Sequence, residues 1–382
     1  MVDSSAAGKR QYHPFVFHGQ ALEYFKIWIV NVLLTIVTLG IYSAWAKVRT
    51  MRYFYGHTEL DGSVFEYTAE PLKILRGRVI AVVLLIAYTA LDYFSATAAT
   101  IGLALFWLVL PVIVIMSFSF RMKYSRWRGI EFGFARDFRS AYAVFLPPLI
   151  LIALIIAGPM LLGLDQATID ASTESADPEI SPELAQYFTL IGLLTTLAFL
   201  LYPWWQKLYY SFVGNHTRYG RSGFHIDLHP MEFYSIYAAA AALLVGGILA
   251  AVAIIAVISA IYPPAAGPAA IALMMIPYLY MAAYIQTRRT NIIYGNLLLD
   301  RVGFVSELKT SRMAWYYITN TFAILISLGL LIPWAMVRVA RYRAECTRLY
   351  ASDFDSFSAL AEGESSATGD AMSDIFDIDL GV

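Results

Sequence analysis

Trp45 to Tyr53 and Trp334 to Tyr342 obey one formula, Trp-Ala-x-Val-Arg-x-x-Arg-Tyr. On a helix the spacing of three puts Arg49 and Arg52, and likewise Arg338 and Arg341, on one face beside a tryptophan. A guanidinium offers parallel donors to a phosphate, so these four arginines are candidates for contact with lipid headgroups or another anion. The plainer reading is that they anchor the topology of the chain. Three polar residues stand inside apolar stretches: Asn31, Asp92 and Asn320. An intramembrane carboxylate is a candidate for ion or proton coupling, although Asp92 falls near the end of its stretch beside Tyr93, within reach of water. The amides need partners in lipid. Either Asn31 and Asn320 bond to each other across packed helices, or each bonds locally or lines a cavity. His225, Asp227 and His229 alternate with Ile226 and Leu228 and on a strand would share a face, as metal ligands or as a plain solvated edge; no metal site is assigned. The chain has no phosphate-binding glycine loop, zinc-helix motif, nucleophile elbow or dinucleotide fingerprint, so neither an enzyme nor a cofactor is expected.

The elements that must carry these residues are membrane helices. Of 382 residues, 59% are hydrophobic and 14% charged, which makes lipid the solvent for most of the surface. A net charge of -1 gives no basic excess for nucleic acid, and the single Cys346 excludes an intramolecular disulfide. Charge-free runs predict an all-α polytopic membrane protein of about eight hydrophobic helices, near 22–44, 79–95, 99–120, 140–164, 184–205, 234–262, 269–287 and 313–336. Breaks are expected near Ser95 to Thr100 and at Pro263 to Pro268. The first run is longer than a signal-peptide core and is read as retained. The transmembrane domain covers 21–350, after an N-terminal segment 1–20 and before an acidic tail 351–382 whose composition predicts disorder.

Most of the 27 lysines and arginines lie in four connections, 45–78, 121–139, 206–234 and 287–313, while 165–184 carries acids and no base. The positive-inside rule places the basic connections in the cytoplasm and the acidic one outside. Eight spans then put both termini outside, against Arg338, Arg341, Arg343 and Arg348, unless the first and last segments re-enter; the lack of glycine and proline in 27–38 favours full spans. Leu60 to Tyr67 and Arg221 to His229 read as short alternating strands after glycine turns, β-hairpin-like cytoplasmic connections of which up to four could form a small layer under the helices.

The chain also repeats itself. A shift of 289 superposes Asn31, Leu39-Gly40, Trp45-Ala46, Val48-Arg49 and Arg52-Tyr53 on Asn320, Leu328-Gly329, Trp334-Ala335, Val337-Arg338 and Arg341-Tyr342. A shift of 239 superposes Arg49, Tyr55-Gly56, Leu60-Asp61 and Phe65 on Arg288, Tyr294-Gly295, Leu299-Asp300 and Phe304. Together with Phe17-His18-Gly19, the run Thr38 to Arg49 and the segment Arg52 to Tyr67, the sequence resembles the YjgN-like bacterial inner-membrane proteins along roughly 15–350. The resemblance implies a polytopic protein of the bacterial inner membrane and supplies no mechanism. Duplication and intramembrane polar residues suggest a carrier or channel for a small solute or lipid. The alternative is an envelope scaffold whose cytoplasmic connections dock a partner protein. Membrane lipids are partners in both.

Overall fold

The computed structural model describes residues 11–162, 182–300 and 302–351; the acidic connection and the C-terminal tail lie outside them. Within these bounds the chain is built from five helix pairs: α1 (Ala21–Val37) with α2 (Ser43–Gly56), α3 (Pro71–Phe94) with α4 (Ala96–Lys123), α5 (Phe138–Leu161) with α6 (Pro182–His216), α7 (Pro230–Ile261) with α8 (Pro263–Gly295), and α9 (Thr310–Ile326) with α10 (Ile332–Cys346). Each of the first four returning helices runs into a two-stranded hairpin: β2 (Thr58–Leu60) with β3 (Ser63–Tyr67), β4 (Ser125–Trp127) with β5 (Ile130–Phe134), β6 (Thr217–Tyr219) with β7 (Ser222–Ile226), and β8 (Leu297–Leu299) with β9 (Val302–Ser306). The fifth runs into β10 (Thr347–Ala351), whose partner is the N-terminal strand β1 (Gln11–Phe17). Because β1 also pairs with β2, the ten antiparallel strands close into a barrel.

Local chemistry explains the repeated helix-to-strand transition. A β-branched or hydroxylated residue follows each of four returning helices and bonds back to a terminal carbonyl, from Thr58 to Phe54, Ser125 to Arg121, Thr217 to Val213 and Thr347 to Arg343, at 2.7 to 2.8 Å. That satisfies one orphaned acceptor and lets the chain leave the helix. Two residues then turn each hairpin. Asp61-Gly62 and Arg128-Gly129 both have positive φ at the two turn positions, the geometry that matches strand twist. Asp61 also ties neighbouring strands together, accepting from Arg128 Nη2 at 2.6 Å and lying 2.9 Å from His13 Nδ1.

The barrel interior is solid. The second strand of every pair contributes a phenylalanine (Phe15, Phe65, Phe132, Phe224, Phe304), and these pack with Leu60, Trp127, Tyr219, Leu299 and Leu349 from the first strands. Phe65 lies against Phe15 and Trp127 at 6.1 Å each, and Phe132 against Tyr219 at 5.0 Å. Buried polar tips are satisfied, Trp127 Nε1 donating to Ser63 O at 3.3 Å and Tyr219 Oη to Trp127 O at 3.0 Å.

The expected all-α fold of eight hydrophobic helices with hairpin-like connections is therefore corrected. Among the described residues six helices, α3 to α8, are long and apolar enough to cross a membrane. The expected helices 22–44 and 313–336 are instead helical hairpins. α1 and α2 have 17 and 14 residues, so at 1.5 Å per residue they reach about 25 and about 21 Å, less than the ~30 Å hydrocarbon layer. Leu39-Gly40 and Leu328-Gly329 take positive φ and turn the chain. Gly40 N bonds Thr35 O at 2.8 Å and Leu39 N bonds Ile36 O at 3.1 Å, a Schellman ending that recurs at Gly329 and Leu328. The conflict over the termini disappears, since both terminal strands join the barrel formed by the basic connections. The second expected break is also corrected: the chain breaks at Tyr262, and Pro263 and Pro264 open α8 rather than end α7, as proline does at a helix start. Ser95 breaks α3 from α4 as expected and caps α4 by accepting from Ala98 N at 3.2 Å.

Around the axis each helix packs on the next, and α1 on α10 closes the ring. The seam of α1 and α10 holds Tyr24, Trp28, Val337 and Ala340. Two long helices approach closely at Gly247 of α7, where an added Cβ would sit 2.9 Å from Pro277 Cβ of α8. Gly247→Leu is expected to lower stability by about 1 to 3 kcal/mol through overpacking, read as a lower melting temperature in detergent. Gly246→Leu, which meets open space, should leave it unchanged.

Candidate functional site

The barrel-proximal ends of the returning helices repeat their chemistry by position. Six residues before the first strand stand Arg52, Ser119, Asn291 and Arg341 in four of the five returning helices, and in the remaining one Ser211, whose hydroxyl has no partner among the described residues. Arg52 donates to Tyr67 O at 3.2 Å and Ala69 O at 3.1 Å, and Arg341 to Gly19 O at 2.9 Å. Asn291 donates to Leu308 O and accepts from Leu308 N, both at 3.0 Å, while Ser119 accepts from Arg136 Nε at 3.4 Å. Arg52, Ser119, Asn291 and Arg341 therefore each clamp the linker by which the second strand of its own pair passes into the next helix. One residue further on, the Tyr53 and Tyr342 hydroxyls accept from Gln20 N and Lys309 N at 2.8 Å, fastening one pair to its neighbour. Arg52 and Arg341 thus spend donors on main-chain carbonyls.

Nine residues before the first strand stand Arg49, Arg288 and Arg338. Arg49 Nη1 donates to Tyr42 Oη at 3.0 Å and approaches Asn31 Oδ1 at 3.5 Å. Arg338 Nη1 donates to Thr319 Oγ1 at 2.7 Å and Asn320 Oδ1 at 3.1 Å, and its guanidinium lies 4.2 Å from the Tyr316 ring centre and 5.0 Å from that of Trp334. The two buried asparagines do not serve each other; each takes the arginine of its own hairpin. Asn31 Nδ2 has no partner among the described residues.

The remaining candidates are peripheral. Asp92 is exposed, three residues before the Ser95 break, with no hydrogen bond or ion pair among the described residues. His229 caps α7, its Nδ1 accepting from Met231 N at 3.3 Å while Glu232 accepts from His229 N at 3.4 Å. His225 lies opposite Leu298 in the barrel wall. No trio of metal-ligating side chains occurs among the described residues. At Asp137, before α5, hydrogen bonds from Ser140 and then nearby His216 hold the carboxyl below its ordinary range.

Sequence reasoning missed a polar stripe on α6. Tyr202, Gln206 and Tyr210 follow the four-residue spacing of one face. Gln206 Nε2 donates to Tyr202 Oη at 2.9 Å. The Tyr202 ring meets Tyr237 of α7 edge-on at 5.2 Å, and Tyr210 stacks on Phe233 at 6.3 Å. Arg289 of α8 covers the Tyr210 ring at 5.5 Å and donates to Gln286 Oε1 at 2.7 Å. The spacing was the available signal, obscured because Gln206 and Arg289 sit at the margins of apolar runs.

Comparison with known proteins agrees with this setting. A family model described as bacterial protein of unknown function, DUF898, matches residues 12–375. Inner membrane protein YjgN of Salmonella typhimurium is 25% identical over 375 residues, 90% of either chain. Proteins of the same name from Escherichia coli O157:H7 and from strain K12 are 34% identical over 147 and 150 residues, 37% of this chain and 36% of theirs. No solved structure matches.

Proposed function

The chain belongs to the DUF898 family and is a multi-pass inner-membrane protein, and from that premise we propose that it is a carrier or channel for a small solute or lipid. The observation that carries this reading is the low sector of the helix ring. Going round, α9, α10, α1 and α2 are consecutive and short, whereas the other six are long. Beyond the hairpin tips only the six long helices continue, so at that level the ring of ten lacks four of its members. Irregular backbone at membrane depth is tolerated where it is buried in protein or lines a cavity, and paired interrupted segments in corresponding positions of a duplicated protein point to its substrate site. Arg49 and Arg338, each held against an asparagine, stand along this low sector, and Arg49 also reaches Tyr42 beside its hairpin tip.

Opening the ring at the seam between the two hairpins is the movement that passage requires in this reading. Tyr24 Oη lies 3.8 Å from Met336 Sδ across that seam. In a Cys346→Ser background, Tyr24→Cys with Met336→Cys is expected to crosslink efficiently with a short bis-thiol reagent. Metabolite and lipid profiling of a deletion strain should reveal a solute or lipid whose level wild type restores and the locked protein does not, while the uncrosslinked double variant restores it. A locked ring that restores the profile as fully as wild type, or a deletion that changes nothing, would end this reading. The former result favours the scaffold, for which the outward-facing Tyr12, Val16, Val64 and Leu298 of the barrel are an exposed apolar surface.

A further inference from the structure

We propose that the polar stripe between α6, α7 and α8 is a binding site for a phosphate-bearing group that also carries a hydroxyl. Arg289 brings a full positive charge to this place, and among the described residues no carboxylate lies within ion-pair distance of it; it donates instead to the neutral Gln286. The guanidinium is oriented by the Tyr210 ring beneath it, which leaves further N–H donors for an anion. Gln206 is the second, independent observation. Its side chain is 6% exposed, one end of the amide is bound to Tyr202, and Oε1 has no partner among the described residues. A buried amide oxygen left unpaired is unfavourable, and a ligand hydroxyl would supply the missing donor. Turning the amide over only exchanges which end is free, and a free NH₂ would donate to the same anion.

The surroundings are aromatic and polar. Tyr202 and Gln206, with Tyr210 one turn on, form a wall on α6, Phe233 and Tyr237 face it from α7, and Arg289 closes it from α8. Arg289 lies eight residues before β8, roughly 12 Å of helix from the barrel, where the apolar run of α8 ends. A lipid headgroup and a free phosphate compound share this chemistry. Binding here does not depend on whether the ring passes a solute, so the test uses no flux.

Purified protein in uncharged detergent would be melted with inorganic phosphate, with short-chain phosphatidylglycerol and with short-chain phosphatidylcholine. Phosphatidylglycerol raising the melting temperature while phosphate does not identifies a headgroup; phosphate alone doing so identifies a free solute. In either case Arg289→Gln is expected to weaken the apparent affinity at least tenfold and Gln206→Leu about threefold or more, with Arg288→Gln close to wild type. No shift with either anion overturns the proposal. So does an equal loss in Arg289→Gln and Arg288→Gln, which marks diffuse attraction. If Arg289→Gln fails to fold, Gln206→Leu and Arg289→Lys decide: unchanged affinity in both overturns the site.

Discussion

A reporter fused after Ser352 is expected to give the same signal as one fused after Arg136, and a reporter fused after Ser175 the opposite one. The argument is geometric before it is electrostatic. β10 ends at Ala351 and pairs with β1 and β9, so the chain leaves α10 on the side where β5, which ends just before Arg136, also lies. Strands of three, five and seven residues fall short of the roughly 9 to 11 that cross a bilayer, so the barrel as a whole lies on one side. In sequence Ser175 falls between α5 and α6, two helices long and apolar enough to cross a membrane. The distribution of lysine and arginine predicts that the barrel side is cytoplasmic. Eight full spans demand the reverse at Ser352. Matching signals at Ser352 and Ser175 would therefore abolish the hairpin description of α1–α2 and α9–α10.

Trp127→Ala is expected to cost about 3 to 5 kcal/mol, the range for removing a fully buried large aromatic side chain. Trp127 is 3% exposed in the barrel core, touches Phe65 and Tyr219, and donates to Ser63 O. Its strand has only three residues, so few ladder bonds remain to compensate. The loss should appear as a greatly lowered melting temperature and reduced accumulation in the membrane. Val64→Ala, on the outer wall, should stay within about 0.5 kcal/mol of wild type. A small effect at Trp127 would mean that the barrel contributes little to the stability of the whole.

What could be read from the residues was governed by length. Long apolar runs announced α3 to α8, because hydrocarbon requires a continuous segment. The hairpin turns were hidden because residues 27–38 hold no glycine or proline and the turn lies just beyond them, at Leu39-Gly40. The duplicated Leu328-Gly329 was the visible clue, and a leucine in the left-handed region twice over, at about 1 kcal/mol each, identifies a position held by its fold. The barrel was less legible for a physical reason. Strands of three and five residues offer too few alternations to register as a period, and β1 and β10 reveal their relation only when they meet. Among the candidate residues, repetition correctly marked Arg49, Arg52, Arg338 and Arg341 as equivalent in pairs. It could not show that Arg52 and Arg341 face main-chain carbonyls, because linker carbonyls have no signature in side-chain types.

The pairing of the first strand with the last also sets an order of events during synthesis. β1 emerges from the ribosome early, yet one of its edges has no partner until Ala351 has been made. At 5 to 20 residues per second that interval is about 20 to 70 s. The membrane helices must therefore enter the bilayer around an unfinished sheet, and closure is the final act of assembly. A chain that stops short is left with bare edges on β1 and β9, recognisable to a protease or to another unfinished chain. Synthesis as far as Ala351 is thus checked by the fold itself, at one seam.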